Sequence, residues 1–541
     1  MSVTSPTSDT APAGHRPRDV PPTSLPDLLA AAQGVATAAE RSEFGDLTDI
    51  TVRGVTADSR LVVADDLYVA LPGRTTHGAD HAAAAVAAGA RAVLTDVDGG
   101  LRLADHDLPV PVLTVPDPRS VVPRLAAELY GQPARRLTML GITGTNGKTT
   151  TSFLVEAALR AADRHCGLIG TLGYRYDGAM LDSSAPRTTV TTPESAEVHA
   201  LLATLAERGA DTVVMEVSSH ALSLGRVDAV EFDVAAFTNF GRDHLDFHGS
   251  VENYFAAKAS LFEPDRSRSA VVNLDDPYGV RLAERLIARD ARWVSTSLDP
   301  TGSATYRPRH LERRPDGSAQ VVLVTPTGDL PLVVGLPGDF NLHNAITALA
   351  LLDLTGIDLA VAAAGLADAR VPGRMERIDL GAGAPAAYVD FAHTPQAVAA
   401  VLEALRGGPG RLICVLGAGG DRDPAKREPM GATAARLADV IVATDDNPRT
   451  EDPVAIRQAL LAGARTAARS DRLATEVIDG GERAAAIAAA LGSAGPDDIV
   501  AVLGKGHEQG QEIAGQTLPF SDERALREAW AAVLGAGSAD A

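Results

Sequence analysis

The chain predicts an α/β fold of three consecutive domains, and three observations lead there. Its 541 residues exceed what one hydrophobic core organises, taking ~150 residues as a working domain size. Short apolar runs alternate with alanine-rich helical stretches along most of the length. The ends of those runs lead straight into glycine-rich or polar loops, where open α/β sheets hold their ligands.

Taken in order, residues 1–24 are rich in Pro, Ser, Thr and Asp and contain no apolar h-region. They read as a disordered tail and not as a signal peptide. In the first domain, 25–135, the runs DLYVALPG (66–73), RAVLTD (91–96) and VPVLTV (110–115) predict strands, and 81–90 a helix between two of them. GQPARRL (131–137) is the linker. The central domain, 136–372, opens on LTMLGIT (137–143), a glycine turn and a helix over 150–162, with further strands at 211–217, 233–239 and 269–275. It is expected to be P-loop ATPase-like. VPGRMER (371–377) marks the second boundary. Beyond it, 373–541 carries strands at 386–391, 411–419, 439–445 and 498–506, a second sheet of Rossmann-like character.

Composition narrows the function classes. Hydrophobic residues at 45% and charged ones at 22% are globular values. A net charge of −21 argues against a nucleic-acid or membrane-surface protein, which carries basic patches. Anionic nucleotides can still be held by local devices such as helix N-termini and single basic residues. Cys166 and Cys414 lie in strand-like runs and read as buried structural thiols. No run is long enough for a membrane span, so the expected compartment is the cytoplasm.

Of 49 basic residues only four are lysine: Lys148, Lys258, Lys426 and Lys505, each in a glycine-, proline- or acid-rich motif. Lysine offers a compact point charge and an amine that can lose its proton and be modified, which arginine does not. Lys148 stands in LGITGTNGKTT, where strand, glycine turn and helix follow one another. The backbone N–H groups of Gly144, Thr145, Asn146, Gly147 and Thr150 can cradle phosphates, Lys148 can reach the terminal ones, and the Thr149 hydroxyl can ligate Mg²⁺. Ile142 occupies the place of the first glycine in the strict P-loop pattern. ATP or GTP is the expected ligand.

Lys258 lies near Glu216 and His244, each of which follows a predicted strand. A neutral lysine amine can add CO₂ to become N6-carboxylysine, an anionic oxygen ligand. With Glu216 and His244 it would form a second Mg²⁺ site. Spacing alone equally allows Lys258 to be an exposed helical residue.

The strings TGTNGKTT, MEVSSH, FTNFGRDHLDFHGS, YFAAKASLF, LPGDFNLHNAITA, VPGRMER, VDFAHTP, GAGGDRDPAKR, TDDNPRTEDP and GKGHE occur in one order. That set resembles the Mur ligase family over roughly residues 50 to 525. The resemblance implies an ATP-dependent amide ligase of peptidoglycan synthesis. Its substrates would be UDP-N-acetylmuramoyl-L-alanyl-D-glutamate, meso-2,6-diaminopimelate and ATP, with two Mg²⁺ ions, a carbamylated Lys258 and a monomeric chain. Lys148, Lys258, Glu216, His244 and Arg374 would be the catalytic set, with Asn273, Asn344 and Arg374 on the nucleotide.

By the same resemblance, Ala57, Ser59, Arg74, Thr75 and Thr76 would bind the UDP portion. Thr191, Thr192, Ser218 and Arg226 would hold the muramoyl dipeptide. Arg74, Val190 and Leu224 depart from residues common in the family. Arg422, Asp446, Asn447, Pro448, Arg449, Gly504 and Glu508 fall on the diaminopimelate contacts. Diaminopimelate is lysine with a carboxylate added on its distal amine-bearing carbon, so an arginine fork and a carboxylate suit that zwitterionic end. The DNPR string carries the arginine that lysine-adding members lack. Two alternatives from the same chemistry are a lysine-adding ligase and a folylpolyglutamate-synthetase-like ligase; a third, from another class, is a nucleotide-switched binding protein. Ser218 and Ser219 beside His220 lack the G-x-S-x-G elbow of a hydrolase.

Overall fold

The computed structural model describes residues 15–31, 47–73, 76–181, 190–314, 317–471 and 476–539. The chain divides into two compact units: residues 1–297 with 302–306 and 347–365, and residues 298–301, 307–346 and 366–541.

The first unit holds two sheets. Strands β1 (Gly54–Thr56), β2 (Asp66–Ala70), β3 (Ala90–Thr95) and β4 (Val112–Thr114) pair in parallel and in chain order. All parallel strands end at one edge, so the loops after β1 and β2 come together. The central sheet comprises β5 (Thr138–Thr143), β6 (Cys166–Gly170), β7 (Gly173–Tyr176), β8 (Ala179–Met180), β9 (Thr212–Glu216), β10 (Phe232–Phe237), β11 (Ser267–Asn273) and β12 (Trp293–Thr296). Their order is β8-β7-β6-β9-β5-β10-β11-β12, antiparallel only at β7 and β8. Strand β5 therefore lies between β9 and β10, and the glycine loop leaves the sheet at a topological switch point.

The strands foreseen in both sheets are present, each within three residues of its expected ends. The two sheets share one compact unit, in which helix Pro118–Leu129 packs on helix Ser195–Glu207. Ala196, Ala200 and Ala203 join Leu125 and Val122 in one core cluster. Alanines on that face let the two helices approach closely enough to share it.

The expected disordered tail does not extend over residues 15–24. Residues 1–14 lie outside the described residues, but 15–24 are docked. The Arg16 guanidinium pairs with the buried Asp66 carboxylate and donates to the Leu61 carbonyl at 2.9 Å. The Arg18 and Asp19 N–H groups donate to Glu207 at 2.9 and 3.2 Å. Val20 is buried, and Thr23–Ser24 pairs antiparallel with Thr51–Val52. Polar contacts order this segment, which a reading of apolar content misses.

In the second unit β13 (Arg307–Arg313), β14 (Ala319–Thr325) and β15 (Gly328–Val334) form an antiparallel sheet. The larger sheet has β16 (Glu376–Ile378), β17 (Ala386–Asp390), β18 (Leu412–Ala418), β19 (Val440–Asp445), β20 (Glu476–Gly481) and β21 (Ile499–Leu503). Its order is β16-β17-β21-β18-β19-β20, parallel except for β16. Hairpin β22 (Gly510–Ile513) and β23 (Gln516–Pro519) follows. Cys166 and Cys414 are buried free thiols, and burial pushes Cys414 up to about 12. No helix among the described residues is long and apolar enough to cross a membrane.

Candidate active site

The glycine loop takes its shape from both neighbouring strands. Gly144 has φ +152°, and a Cβ there would collide with the Thr238 hydroxyl just beyond β10. Gly147, at φ +86°, is the N-cap of helix Lys148–Ala161. Both positions need glycine, for close approach and for a left-handed backbone. Asn239 accepts the Thr145 N–H on its carbonyl at 2.9 Å and the Asn146 N–H on its side-chain oxygen at 2.9 Å. Thr238 and Asn239 thus hold the loop open at the helix N-terminus, where backbone N–H groups favour anions. Neither residue was singled out from sequence; they lie inside the FTNFGRDH string. Lys148 folds over the loop, donating to the Gly144 and Thr145 carbonyls at 2.8 and 3.0 Å.

Glu216 ends β9, in register with Ile142. Its carboxylate is fully buried and accepts the Thr149 hydroxyl at 2.9 Å, the Thr171 N–H at 3.0 Å and the Thr171 hydroxyl at 2.9 Å. Thr171, just past β6, is a partner that sequence reasoning missed. Its only signal was that it follows a strand-like run at the same sheet edge. Lys258, on helix Val251–Ala259, is buried and not an exposed helical residue. Its amine donates to the Gly144 carbonyl at 2.7 Å, the same oxygen that Lys148 contacts. Burial and then the Lys148 charge push the Lys258 amine well below the ordinary lysine range, with Asp243 opposing. A lysine so placed gives up its proton more readily than an ordinary one, and the neutral amine is the form that reacts with CO₂.

His244 has a left-handed backbone at φ +52° and caps helix Leu245–His248. Burial lowers its pKa, and His220 stands edge-on with ring centroids 4.7 Å apart. His220 is lowered to about 4, first by burial and then by His244. Among the described residues no three His, Cys, Asp or Glu side chains converge as a metal cluster. The buried Glu216–Thr149 pair nevertheless supplies hard oxygen donors of the kind Mg²⁺ takes. Asn273 braces the loop from below, its amide donating to the Thr238 carbonyl at 2.8 Å.

Thr191, Thr192, Ser218 and Arg226 cluster beside Glu216. The Thr192 hydroxyl donates to the Glu216 carbonyl at 2.8 Å and accepts the Ser218 N–H at 3.1 Å. The Thr191 and Thr171 hydroxyl oxygens lie 3.1 Å apart. Arg226 donates to the Thr192 carbonyl at 3.0 Å and pairs with Glu194 at 2.8 Å. Glu194 also meets Arg119 of the first sheet's helix at 3.2 Å. Val190 is exposed, and Leu224 caps helix Ser219–Ser223. Ala57 and Ser59 follow β1, where Asp58 caps the short turn Ser59–Leu61. Thr76 follows β2 at the same edge. Arg74 and Thr75 lie outside the described residues.

In the second unit, Arg374 stacks over Phe391 at 4.3 Å, and its charge opposes the rise that burial imposes on Asp390. Asn344 lies on helix Asp339–Asp353 and donates to Asn341 at 3.3 Å. The loops after β18, β19 and β21 converge. Arg449, at φ +54°, donates to Glu512 at 3.1 Å and to the Gly420 carbonyl at 2.6 Å. Arg422 is exposed beside Gly419. Pro448 places its carbonyl against Gly420, which has no room for a Cβ. Gly504 has φ +115°, and a Cβ there would strike the Asp446 carboxylate. Asn447 donates to Glu508 at 2.7 Å. Lys505, fully buried, contacts both. The sequence reading left Lys505 and Glu512 outside the site, although Lys505 was one of only four lysines.

Known proteins align with this arrangement along the chain. Residues 51–130 match the description "Mur ligase family, catalytic domain", 142–352 "Mur ligase middle domain" and 373–506 "Mur ligase, glutamate ligase domain". A UDP-N-acetylmuramoyl-L-alanyl-D-glutamate–2,6-diaminopimelate ligase of Streptomyces avermitilis is 47% identical, covering 96% of this chain and 99% of that protein. The ligase of the same name from Streptomyces coelicolor is 48% identical over 88% of this chain and 92% of that one. A solved structure of a ligase so named superposes with a TM-score of 0.62 at 29% identity, covering 93% of this chain and 98% of that chain.

Proposed function

The chain belongs to the Mur ligase family, and from that footing we propose that it joins meso-2,6-diaminopimelate to the D-glutamate of UDP-N-acetylmuramoyl-L-alanyl-D-glutamate, driven by ATP. The observation that carries the reading is similarity to ligases of that name across nearly the whole chain. It includes the two converging loops in which Arg449 and Glu508 offer opposite charges to a zwitterion. The folylpolyglutamate-synthase likeness, at 22% identity, speaks only to the fold.

In the first step the D-Glu γ-carboxylate attacks the γ-phosphorus of ATP; ADP leaves and an acyl phosphate forms. In the second the diaminopimelate amine attacks the acyl carbon, loses a proton, and phosphate departs as the amide forms. Two anions meet in the first step, so positioning and charge neutralisation are the protein's main work. Lys148 and the helix N-terminus at Gly147 draw the triphosphate, and Arg374 adds a cation to it. Asn273 and Asn344 complete the nucleotide contacts. Ala57, Ser59, Arg74, Thr75 and Thr76 hold the UDP end. Thr191, Thr192, Ser218 and Arg226 hold the dipeptide.

Thr149, Glu216, His244 and Lys258 as N6-carboxylysine would hold Mg²⁺ at two sites. Bound there, the ions offset the charge between carboxylate and triphosphate. The buried, neutral-leaning Lys258 amine supports this reading. Arg422, Asp446, Asn447, Pro448, Arg449, Gly504 and Glu508 receive the amino acid. ATP and a UDP-linked substrate place the work in the cytoplasm.

The test is ADP release with the dipeptide substrate plus diaminopimelate, plus lysine, and with neither. Turnover should require the dipeptide and diaminopimelate together. ATP hydrolysis indifferent to both would point to a nucleotide switch and overturn the reading.

A further inference from the structure

Lys505 is the only one of the four lysines that is fully buried within the second unit's loop cluster. Its ammonium donates to Asn447 Oδ1 at 2.9 Å and to Glu508 Oε2 at 2.8 Å. Asn447 closes a triangle, its Nδ2 donating to the same Oε2 at 2.7 Å. An ammonium only donates, so it fixes which end of the Asn447 amide faces Glu508. The Glu512 N–H, 3.0 Å from Asn447 Oδ1, reinforces that orientation.

The carboxylate is left asymmetric. Oε2 takes both protein donors, while Oε1 receives no hydrogen bond from the described residues, and the side chain is 33% exposed. The charges nearby also matter. Asp446 and Glu508 against Lys505 leave one negative charge. The buried Arg483–Asp522 pair beneath, at 2.6 Å, is neutral as a unit. One net negative charge with one open carboxylate oxygen matches one ammonium.

Resting on the diaminopimelate reading above, we propose that Lys505 is a positioning residue. It locks Glu508 and Asn447 into a preformed acceptor whose open oxygen takes the distal ammonium of the incoming amino acid.

The test compares diaminopimelate with 2-aminopimelate, which keeps both carboxylates and the attacking amine but lacks the distal amine. kcat/KM for each, and KM for ATP, are measured in wild type and Lys505→Met. The wild type should prefer diaminopimelate. Lys505→Met should shrink that preference at least about tenfold, as loss of a buried charged partner does, with KM for ATP held within about twofold. A merely structural lysine would lower both amino acids and ATP together. Should Lys505→Met fold poorly, the variant is read in a Glu508→Gln background, where no unpaired carboxylate remains. There the lysine should have almost no further effect on the preference. An unchanged preference in Lys505→Met overturns the proposal, as does a full-sized effect persisting without Glu508, or a wild type indifferent to the distal amine. A wild type with no diaminopimelate-dependent turnover removes the parent reading as well, so the two failures are distinguishable.

Discussion

Deleting residues 1–24 should destabilise the first unit, although composition marks the segment as dispensable. The perturbation removes Arg16, whose guanidinium meets Asp66, a side chain only 1% exposed. Asp66 also accepts the Val63 N–H at 2.9 Å and lies under Gly54, where a Cβ would strike it. It has little room to turn toward water. Breaking a buried pair by removing one partner costs ~3–5 kcal/mol, and exposing the pocket of Val20 adds ~1 kcal/mol or more. At the low end of that sum, ~4 kcal/mol, Tm falls by about 8–16 °C on the scale of a domain of 150–250 residues. The sign of the pH dependence follows from Asp66. Burial raises its pKa in the folded state, with Arg16 opposing, so without Arg16 it rises further. The folded state then binds the proton more readily, and the defect is largest above that raised pKa and shrinks as pH falls. The assay is thermal unfolding of wild type, the truncation, and the truncation carrying Asp66→Asn, at pH 8 and pH 5. The Asp66→Asn substitution, which removes the buried charge, should recover much of the loss at pH 8. A truncation ending at Gly14 keeps every contact named here and is the control. If the 1–24 deletion melts with wild type at pH 8, the reasoning about Asp66 is refuted.

Lys258→Ala and Lys258→Arg should nearly abolish turnover, and short carboxylic acids such as acetate should partly restore the alanine variant by replacing a carbamate oxygen; ¹³CO₂ NMR on the wild type should show the adduct. Arg449→Ala should raise KM for diaminopimelate by one or more orders of magnitude, from a loss of ~2–5 kcal/mol, and leave KM for ATP nearly unchanged. Wild-type use of lysine within about tenfold of diaminopimelate would contradict the assigned selectivity. His199 is fully buried, donates to the Asp228 carbonyl at 3.2 Å, and is lowered by burial to about 4. The unfolded chain therefore binds a proton near pH 6.5 that the folded chain refuses until about pH 4. His199 thus removes up to ~3 kcal/mol of stability as pH falls through that window. Denaturant unfolding from about pH 7 to about pH 4 should fall less steeply for His199→Leu.

The central strands and the glycine loop were legible because they are local. An apolar run followed by Gly144, Gly147 and Lys148 specifies strand, turn and helix from adjacent residues, and the backbone angles at both glycines follow from that. The Asp446–Arg449 and Gly504–Glu508 loops were legible as strings, as were Glu216, His244 and Lys258. Burial of Lys258 was not, because helix Val251–Ala259 has no strong apolar stripe and spacing left the exposed alternative open. Three decisions belong to the tertiary structure alone. Sheet order places Thr171, Thr149 and Glu216 together across β6, β5 and β9. The alanine-lined contact of Pro118–Leu129 on Ser195–Glu207 packs the first sheet's helices against those of the central sheet. Arg16, Arg18 and Val20 order a segment whose composition reads as disorder. Each depends on partners far apart in the chain: sequence by itself determines which residues can make a loop or a strand, whereas the partner of a buried charge is fixed only when folding brings distant segments into the same dry space.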